Sequence, residues 1–122
     1  MYRIGTDIIE IPRIARAIER HGDAFLNRIF TRREIARYRR KTPSLAARFA
    51  AKEAVMKALG QGYFTIGWRE IEVLSKPSGE PAIRLYGRAK RRATRLGLKT
   101  FALSLSHCRE YAIAMVLASD EE

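Results

Sequence analysis

The chain has 122 residues, of which 47% are hydrophobic, and a formal net charge of +11. This hydrophobic share excludes a mainly disordered protein. The single cysteine, Cys108, excludes an internal disulfide and a thiolate metal cage. No apolar run approaches the ~20 residues of a membrane-spanning helix, and the first residues lack a secretory signal pattern. We therefore expect one cytoplasmic domain over residues 1–122, with no membrane partner.

The first half of the chain predicts one strand followed by helices. Apolar and polar residues alternate over residues 2–11, which favours an opening strand. Pro12 suits the first turn of a helix that ends at Gly22. Thr31 begins the capping-box sequence TRRE, which predicts a short helix to about Arg40.

A long central helix is predicted next, starting at Thr42 or Ser44 and ending at Gly60, a residue that commonly terminates helices. At 100° per residue, apolar or small side chains occupy most of its circumference. This pattern predicts a largely buried helix.

The second half predicts mainly strands. Residues 67–75 and 82–87 flank the turn sequence KPSGEP, which favours a hairpin. Residues 87–98 have the pattern of a basic amphipathic helix, and residues 100–107 and 111–118 alternate as two further strands. We expect an α+β domain in which an antiparallel sheet packs against the long central helix.

Four charged residues lie on the central helix: Arg48, Lys52, Glu53 and Lys57. In one interpretation Glu53 and Lys57 form an ordinary i,i+4 pair worth ~0.2–0.5 kcal/mol, and the other two side chains reach water past apolar neighbours. Alternatively, since buried charges need partners, three cations and one carboxylate suit a phosphate-rich ligand and a divalent metal.

Asp7 offers a possible second carboxylate. Alone, it is typical of a cap or turn at a strand end. A magnesium site, however, usually takes one or two carboxylates together with substrate phosphates and water. Asp7 and Glu53 would meet that need if the first strand packs beside the central helix.

His107 ends a predicted strand, where a histidine is most often a polar edge residue. Ser106 and His107 do not form a nucleophile and base pair, because adjacent strand residues point to opposite faces. Cys108 has no clear activating partner and is interpreted as incidental.

Motifs along nearly the whole chain resemble those of the holo-acyl-carrier-protein synthases. They are, in order, IGTDIIEIPRI, RFAAKEAVMKALG, EIEV (70–73), SGEP (78–81) and LSLSHCREYAIAMV (103–116). The resemblance implies transfer of 4′-phosphopantetheine from coenzyme A to a serine of an acyl carrier protein, with release of adenosine 3′,5′-bisphosphate. It also implies a requirement for Mg²⁺, a role in fatty acid or polyketide synthesis, and a homotrimer with active sites between subunits.

The same resemblance assigns site residues. Asp7 and Glu53 would be the metal ligands, with Glu53 or a metal-associated water taking the serine proton. Lys57 would stabilise charge on the phosphates and the departing bisphosphate. Arg48, His107 and Lys57 would help hold coenzyme A.

The resemblance also predicts a docking surface for the carrier protein at Arg13, with Arg20 and Arg28 as further basic positions. Carrier proteins are acidic, so the strongly basic chain suits such a partner. Cys108 departs from the small hydroxyl residue common in the family, and Lys52 receives no particular role.

Two other classes of protein are alternatives. The basic helix over residues 87–98 would suit a nucleic-acid-binding module, but no recognised nucleic-acid motif is present, and we expect no nucleic-acid partner. A structural oligomer subunit would explain an apolar sheet, but not charges on a buried helix.

Overall fold

The computed structural model describes residues 1–122. Its helices and strands confirm the predicted α+β class. The elements are β1 (Tyr2–Glu10), α1 (Ile11–His21), α2 (Asp23–Ile29), α3 (Arg32–Tyr38), α4 (Thr42–Leu59), a 3₁₀ turn (Trp68–Glu70), β2 (Ile71–Ser75), β3 (Pro81–Leu85), α5 (Gly87–Arg95), β4 (Thr100–His107) and β5 (Tyr111–Ser119).

The strands form two antiparallel sheets. The larger sheet has the order β1-β5-β4, so the first strand pairs with the last, with Tyr2 opposite Ser119. β2 and β3 form a separate hairpin. Alternate residues of β5 are buried against the helical layer; they are Ala112, Ala114, Val116 and Ala118. Three of these four side chains are alanines, which lets a helix lie close to the sheet.

α4 is the central helix, and it packs against both β1 and β5. Most of its residues are buried, as its nearly complete apolar circumference predicts. Gly60 ends it in the left-handed conformation, with φ of 72°. The predicted packing of an antiparallel sheet on a long helix is confirmed. Among the helices, none has both the length and the apolar composition of a membrane span.

Two local features differ from the sequence prediction. α2 was not predicted, because its seven residues span too little chain to show helical periodicity. Gly22 separates it from α1, with φ of 54° and its N–H bonded to the carbonyl of Ile18 at 2.7 Å. The predicted strand over residues 67–75 starts only at Ile71, because Glu70 bonds back to the Gly67 N–H and closes a 3₁₀ turn.

Candidate active site

The site begins with the close approach of β1 to α4 at Gly5. A Cβ atom at Gly5 would overlap the carbonyl oxygen of Ala54 and lie 2.7 Å from its carbonyl carbon. Only glycine therefore lets the strand touch the helix backbone at this point. Asp7 lies two residues further on the same face of β1, towards the α4 turn that carries Glu53.

Asp7 is close enough to Glu53 to affect the protonation of the Glu53 carboxyl. Burial raises the pKa of Glu53, and the charge of the neighbouring Asp7 carboxylate raises it further. Lys57 and Arg13 act in the opposite direction. The Asp7 side chain is only 12% exposed. Two partly desolvated carboxylates side by side form a site that favours a proton or a cation.

Lys57 contacts β1 and not its helical neighbour. Its Nζ lies 3.2 Å from Oδ1 of Asp7 and donates a 2.9 Å hydrogen bond to the carbonyl oxygen of Thr6. No ion pair within 4 Å joins Lys57 to Glu53, so the simple i,i+4 pair is not formed. The Lys57 side chain is 57% exposed, which leaves its ammonium group accessible to a ligand.

A pocket of about 330 Å³ opens beside these charges. Its lining residues come from the last turns of α4 and the following loop: Glu53, Met56, Lys57, Gly60, Gln61, Gly62 and Tyr63. Neither Gln61 nor Tyr63 is among the site residues predicted from the sequence. The one sequence feature that could have indicated them is that they closely follow Gly60, the glycine that ends the helix.

Lys52 points away from this pocket and into the core. Its Nζ lies 2.8 Å from Oε1 of Glu34, and both side chains are 0% exposed. It also donates to the carbonyl oxygens of Trp68, at 3.1 Å, and Ile71. Burial lowers the pKa of Lys52, and the Glu34 charge partly offsets this effect. The expectation that Lys52 faces phosphate or solvent is wrong, because its donors are used inside the protein.

Arg48 is also buried, one turn before Lys52. Its guanidinium donates to the carbonyl oxygen of Val73 at 3.2 Å and to Oγ of Ser75 at 2.9 Å, and its Cζ lies 3.7 Å from the centre of the Tyr38 ring. It lies nine residues before Lys57, about 14 Å along the helix axis. Within one chain, Arg48 thus lies beside the β2–β3 hairpin and apart from the carboxylate pair.

His107 is exposed at the end of β4. It pairs with Ala112 of β5, which in turn pairs with Ile9 of β1. His107 therefore shares a sheet face with Asp7 but lies two strands away, and it does not line the pocket.

The predicted docking arginines lie on the outer surfaces of the first two helices. Arg13 and Arg20 are exposed on α1, and Arg28 is exposed on α2. Arg13 is close enough to Glu53 to lower the pKa of that carboxyl. Arg16 is also exposed between Arg13 and Arg20. It was not among the predicted docking residues, although it lies three residues after Arg13 in the sequence.

No group of three or more His, Cys, Asp or Glu side chains is placed to hold a metal ion. The chain offers the Asp7 and Glu53 pair, which are oxygen donors. This donor set fits Mg²⁺, since that ion keeps several waters and usually binds one or two carboxylates together with substrate phosphates.

Comparison with known proteins defines the class. Residues 3–116 match the model of the 4′-phosphopantetheinyl transferase superfamily, and the chain therefore belongs to that superfamily. The holo-[acyl-carrier-protein] synthase of Dehalococcoides mccartyi is 56% identical, over 98% of this chain and 100% of its own length. That of Chlamydia felis is 51% identical, over 97% of each chain.

Solved structures agree with these relatives. The holo-[acyl-carrier-protein] synthase of Helicobacter pylori in complex with coenzyme A has a TM-score of 0.86 and 33% identity, over 95% of this chain and 99% of that one. The Bacillus anthracis enzyme in complex with CoA (3′,5′-ADP) has a TM-score of 0.78 and 34% identity, over 95% and 94%. The chain is an enzyme of the holo-acyl-carrier-protein synthase type, and the resemblance noted in its motifs is confirmed.

Proposed function

We propose that this chain transfers 4′-phosphopantetheine from coenzyme A to a serine of an apo acyl carrier protein in a magnesium-dependent reaction. The observation that carries this proposal is that Lys57 contacts Asp7 beside Glu53, and that Glu53 and Lys57 line a pocket. The coenzyme A bound in the Helicobacter pylori relative supports the choice of donor.

Asp7 and Glu53 would hold the Mg²⁺ ion. Their mutual repulsion in a partly buried site disfavours two bare negative charges, so a divalent cation has a clear electrostatic reason to bind there. When bound, Mg²⁺ would neutralise charge on the coenzyme A pyrophosphate.

The chain's own residues then perform the proton transfer and the charge stabilisation. Oγ of the carrier serine forms a bond to the phosphorus attached to pantetheine, and the bridging P–O bond breaks to release adenosine 3′,5′-bisphosphate. Glu53 or a metal-associated water would take the serine proton. Lys57 stabilises the negative charge that develops on the departing phosphate.

The proposed assembly is a homotrimer with sites between subunits. The face of the β1-β5-β4 sheet opposite α4 is open, and its large apolar residues are exposed: Tyr2, Ile4, Ile8, Tyr111, Ile113, Met115 and Leu117. Such a face on a folded chain favours contact with another protein surface. Association would bring His107 of one copy towards the pocket of another, where it would help hold coenzyme A. Arg48 would contribute from the side of the β2–β3 hairpin, beside which it is buried.

The carrier would dock on the exposed arginines of the first two helices, Arg13, Arg20 and Arg28. The net charge of +11 supports an acidic partner. We place the enzyme in the cytoplasm, acting as one domain in fatty acid or polyketide synthesis.

Intact-mass spectrometry tests the proposal. Purified protein is incubated with coenzyme A, Mg²⁺ and each of several apo carrier proteins. We expect each accepted carrier to gain the mass of one phosphopantetheine, and no gain when the metal is chelated. A lack of transfer to every carrier would contradict the proposal.

A further inference from the structure

α5 presents more positive charge than the fold requires. Its residues Gly87–Arg95 include five basic side chains and no acidic one. The fold uses two of the five. Nε of Arg88 lies 3.3 Å from Oε1 of Glu70, and Nε of Arg92 donates to the carbonyl oxygen of Leu59 at 2.9 Å.

Arg91 and Arg95 have no such role. Both are exposed, and neither has a carboxylate within 4 Å. They are four residues apart, a spacing at which like charges destabilise a helix. Positions near a helix C-terminus favour cations, but that effect does not require two arginines on the same side.

These arginines line a depression that adjoins the candidate active site. The depression has a volume of about 160 Å³, and its lining residues are Gln61, Thr65, Arg88, Arg91, Arg92 and Arg95. Gln61 also lines the larger pocket beside Glu53 and Lys57. The basic surface of α5 therefore borders the pocket of the candidate site at Gln61.

The site therefore lies between two basic surfaces. Arg13 of α1 lies near Glu53, whereas Gln61 and α5 lie beyond the C-terminal end of α4, past Lys57. A protein that inserts a serine between them has to cover the mouth of the pocket, and its edges will meet both surfaces.

We propose that α5 is a second docking surface for the acidic carrier protein, with Arg91 and Arg95 binding its surface carboxylates. Guanidinium groups suit this role because they bind carboxylates with two parallel hydrogen bonds. This inference rests on the proposed function, because the partner is the protein that supplies the serine.

Single charge reversals test the docking surface. Arg91→Glu and Arg95→Glu are compared with Lys90→Glu, which changes the charge equally on the same helix but does not line the depression that reaches Gln61. We expect the two arginine variants to raise KM for the carrier about tenfold, with kcat and KM for coenzyme A within about twofold of wild type. Lys90→Glu should change KM for the carrier by less than about threefold.

Three results would overturn the proposal. One is an equal rise in KM for the carrier in all three variants, which would reflect the net charge of the protein and not a specific surface. Another is a matching rise in KM for coenzyme A, which would place the arginines in the donor site. The third is an altered oligomeric state of Arg91→Glu by light scattering, which would assign α5 to contacts between copies.

A binding measurement separates this proposal from the proposed function. Labelled apo carrier protein is titrated with wild type and Arg91→Glu without coenzyme A, and fluorescence anisotropy is followed. Weaker binding by the variant supports docking at α5 even if transfer fails, in which case only the proposed function is contradicted. Unchanged carrier binding with lost binding to a labelled RNA would overturn the docking proposal in favour of a nucleic-acid partner.

Discussion

The Nζ atom of Lys52 lies 2.8 Å from Oε1 of Glu34, and both side chains are fully buried. Glu34 also accepts hydrogen bonds from the N–H groups of Thr31 and Val73, at 2.8 and 2.7 Å. The ion pair thus ties α4 to the start of α3 and to β2. Since Lys52 directly precedes Glu53, this connection fixes the helical turn that carries the proposed metal ligand.

Replacement of Lys52 by methionine should strongly destabilise the fold. The change leaves the Glu34 carboxylate buried without its cation, and removal of one partner of a buried pair typically costs about 3–5 kcal/mol. Urea unfolding followed by circular dichroism measures the free energy of unfolding. Lys90→Met, a control at an exposed lysine of α5, should change it by about 0.5 kcal/mol or less. Equal losses in the two variants would contradict a structural role specific to Lys52.

Gly5→Ala should separate β1 from α4. The added Cβ would overlap the carbonyl of Ala54, so the strand has to move, and Asp7 moves with it. We expect a loss of stability of about 1–3 kcal/mol and weaker metal binding. Gly62→Ala is a matched control, because a Cβ there meets no atom within 4 Å. Wild-type metal affinity in Gly5→Ala would show that the close approach is not needed to form the site.

The sequence predicted this fold well where the pattern was long. The buried circumference of α4, the alternation of β4 and β5, and the capping box at Thr31 and Glu34 were each visible in one segment, and the structure contains all of these features. α2 was missed because seven residues hold too little periodicity.

The site was only partly predictable, since it depends on contacts between distant segments. Residue type and spacing identified Glu53 and Lys57 as charged residues on a mostly apolar helix. They did not show which of the charged residues of α4 belong to the site. That Lys52 and Arg48 turn inward depends on Glu34 and on the carbonyl groups of β2, which lie far away in sequence. The pairing of Lys57 with Asp7 has the same origin.

Glu53 should make stability depend on pH. Its pKa is raised in the folded protein by burial and by Asp7, so the folded state holds a proton that the unfolded state releases more readily. The contribution of Glu53 is therefore greatest below the ordinary glutamate pKa and is lost as pH rises through the raised value. Without metal, Glu53→Gln should lose less stability than wild type as the pH rises from below the ordinary glutamate pKa through the raised value.

Glu70 provides the control for that pH dependence. Burial raises its pKa, but hydrogen bonds from the backbone N–H groups of Gly67 and Arg88 and the Arg88 charge lower it on balance. Its contribution is therefore present above the ordinary glutamate pKa and is lost as pH falls through the lowered value. The free energy of unfolding in urea is measured across the pH range, in the presence of EDTA, for wild type, Glu53→Gln and Glu70→Gln. Identical pH slopes in wild type and Glu53→Gln would contradict the coupling of Glu53 to Asp7.

The open sheet face should mediate association. Met115 is 57% exposed at its centre, with Thr6 and Ser104 opposite on the two flanking strands. Met115→Glu places a charge on this apolar surface, so we expect a smaller assembly by light scattering. Activity should fall in parallel if sites lie between subunits. The exposed Arg84→Glu, on the other sheet, should leave the mass unchanged. A wild-type mass for Met115→Glu would exclude this face as the interface.

The metal role of Asp7 and Glu53 is tested most directly by counting bound Mn²⁺, a paramagnetic substitute for Mg²⁺, by electron paramagnetic resonance in the presence of coenzyme A. We predict one ion per chain for wild type and for Glu70→Gln. For Asp7→Asn and Glu53→Gln we predict an affinity at least about tenfold weaker, with the fold retained by circular dichroism. Full Mn²⁺ binding by Glu53→Gln would contradict the metal site and the magnesium-dependent transfer built on it.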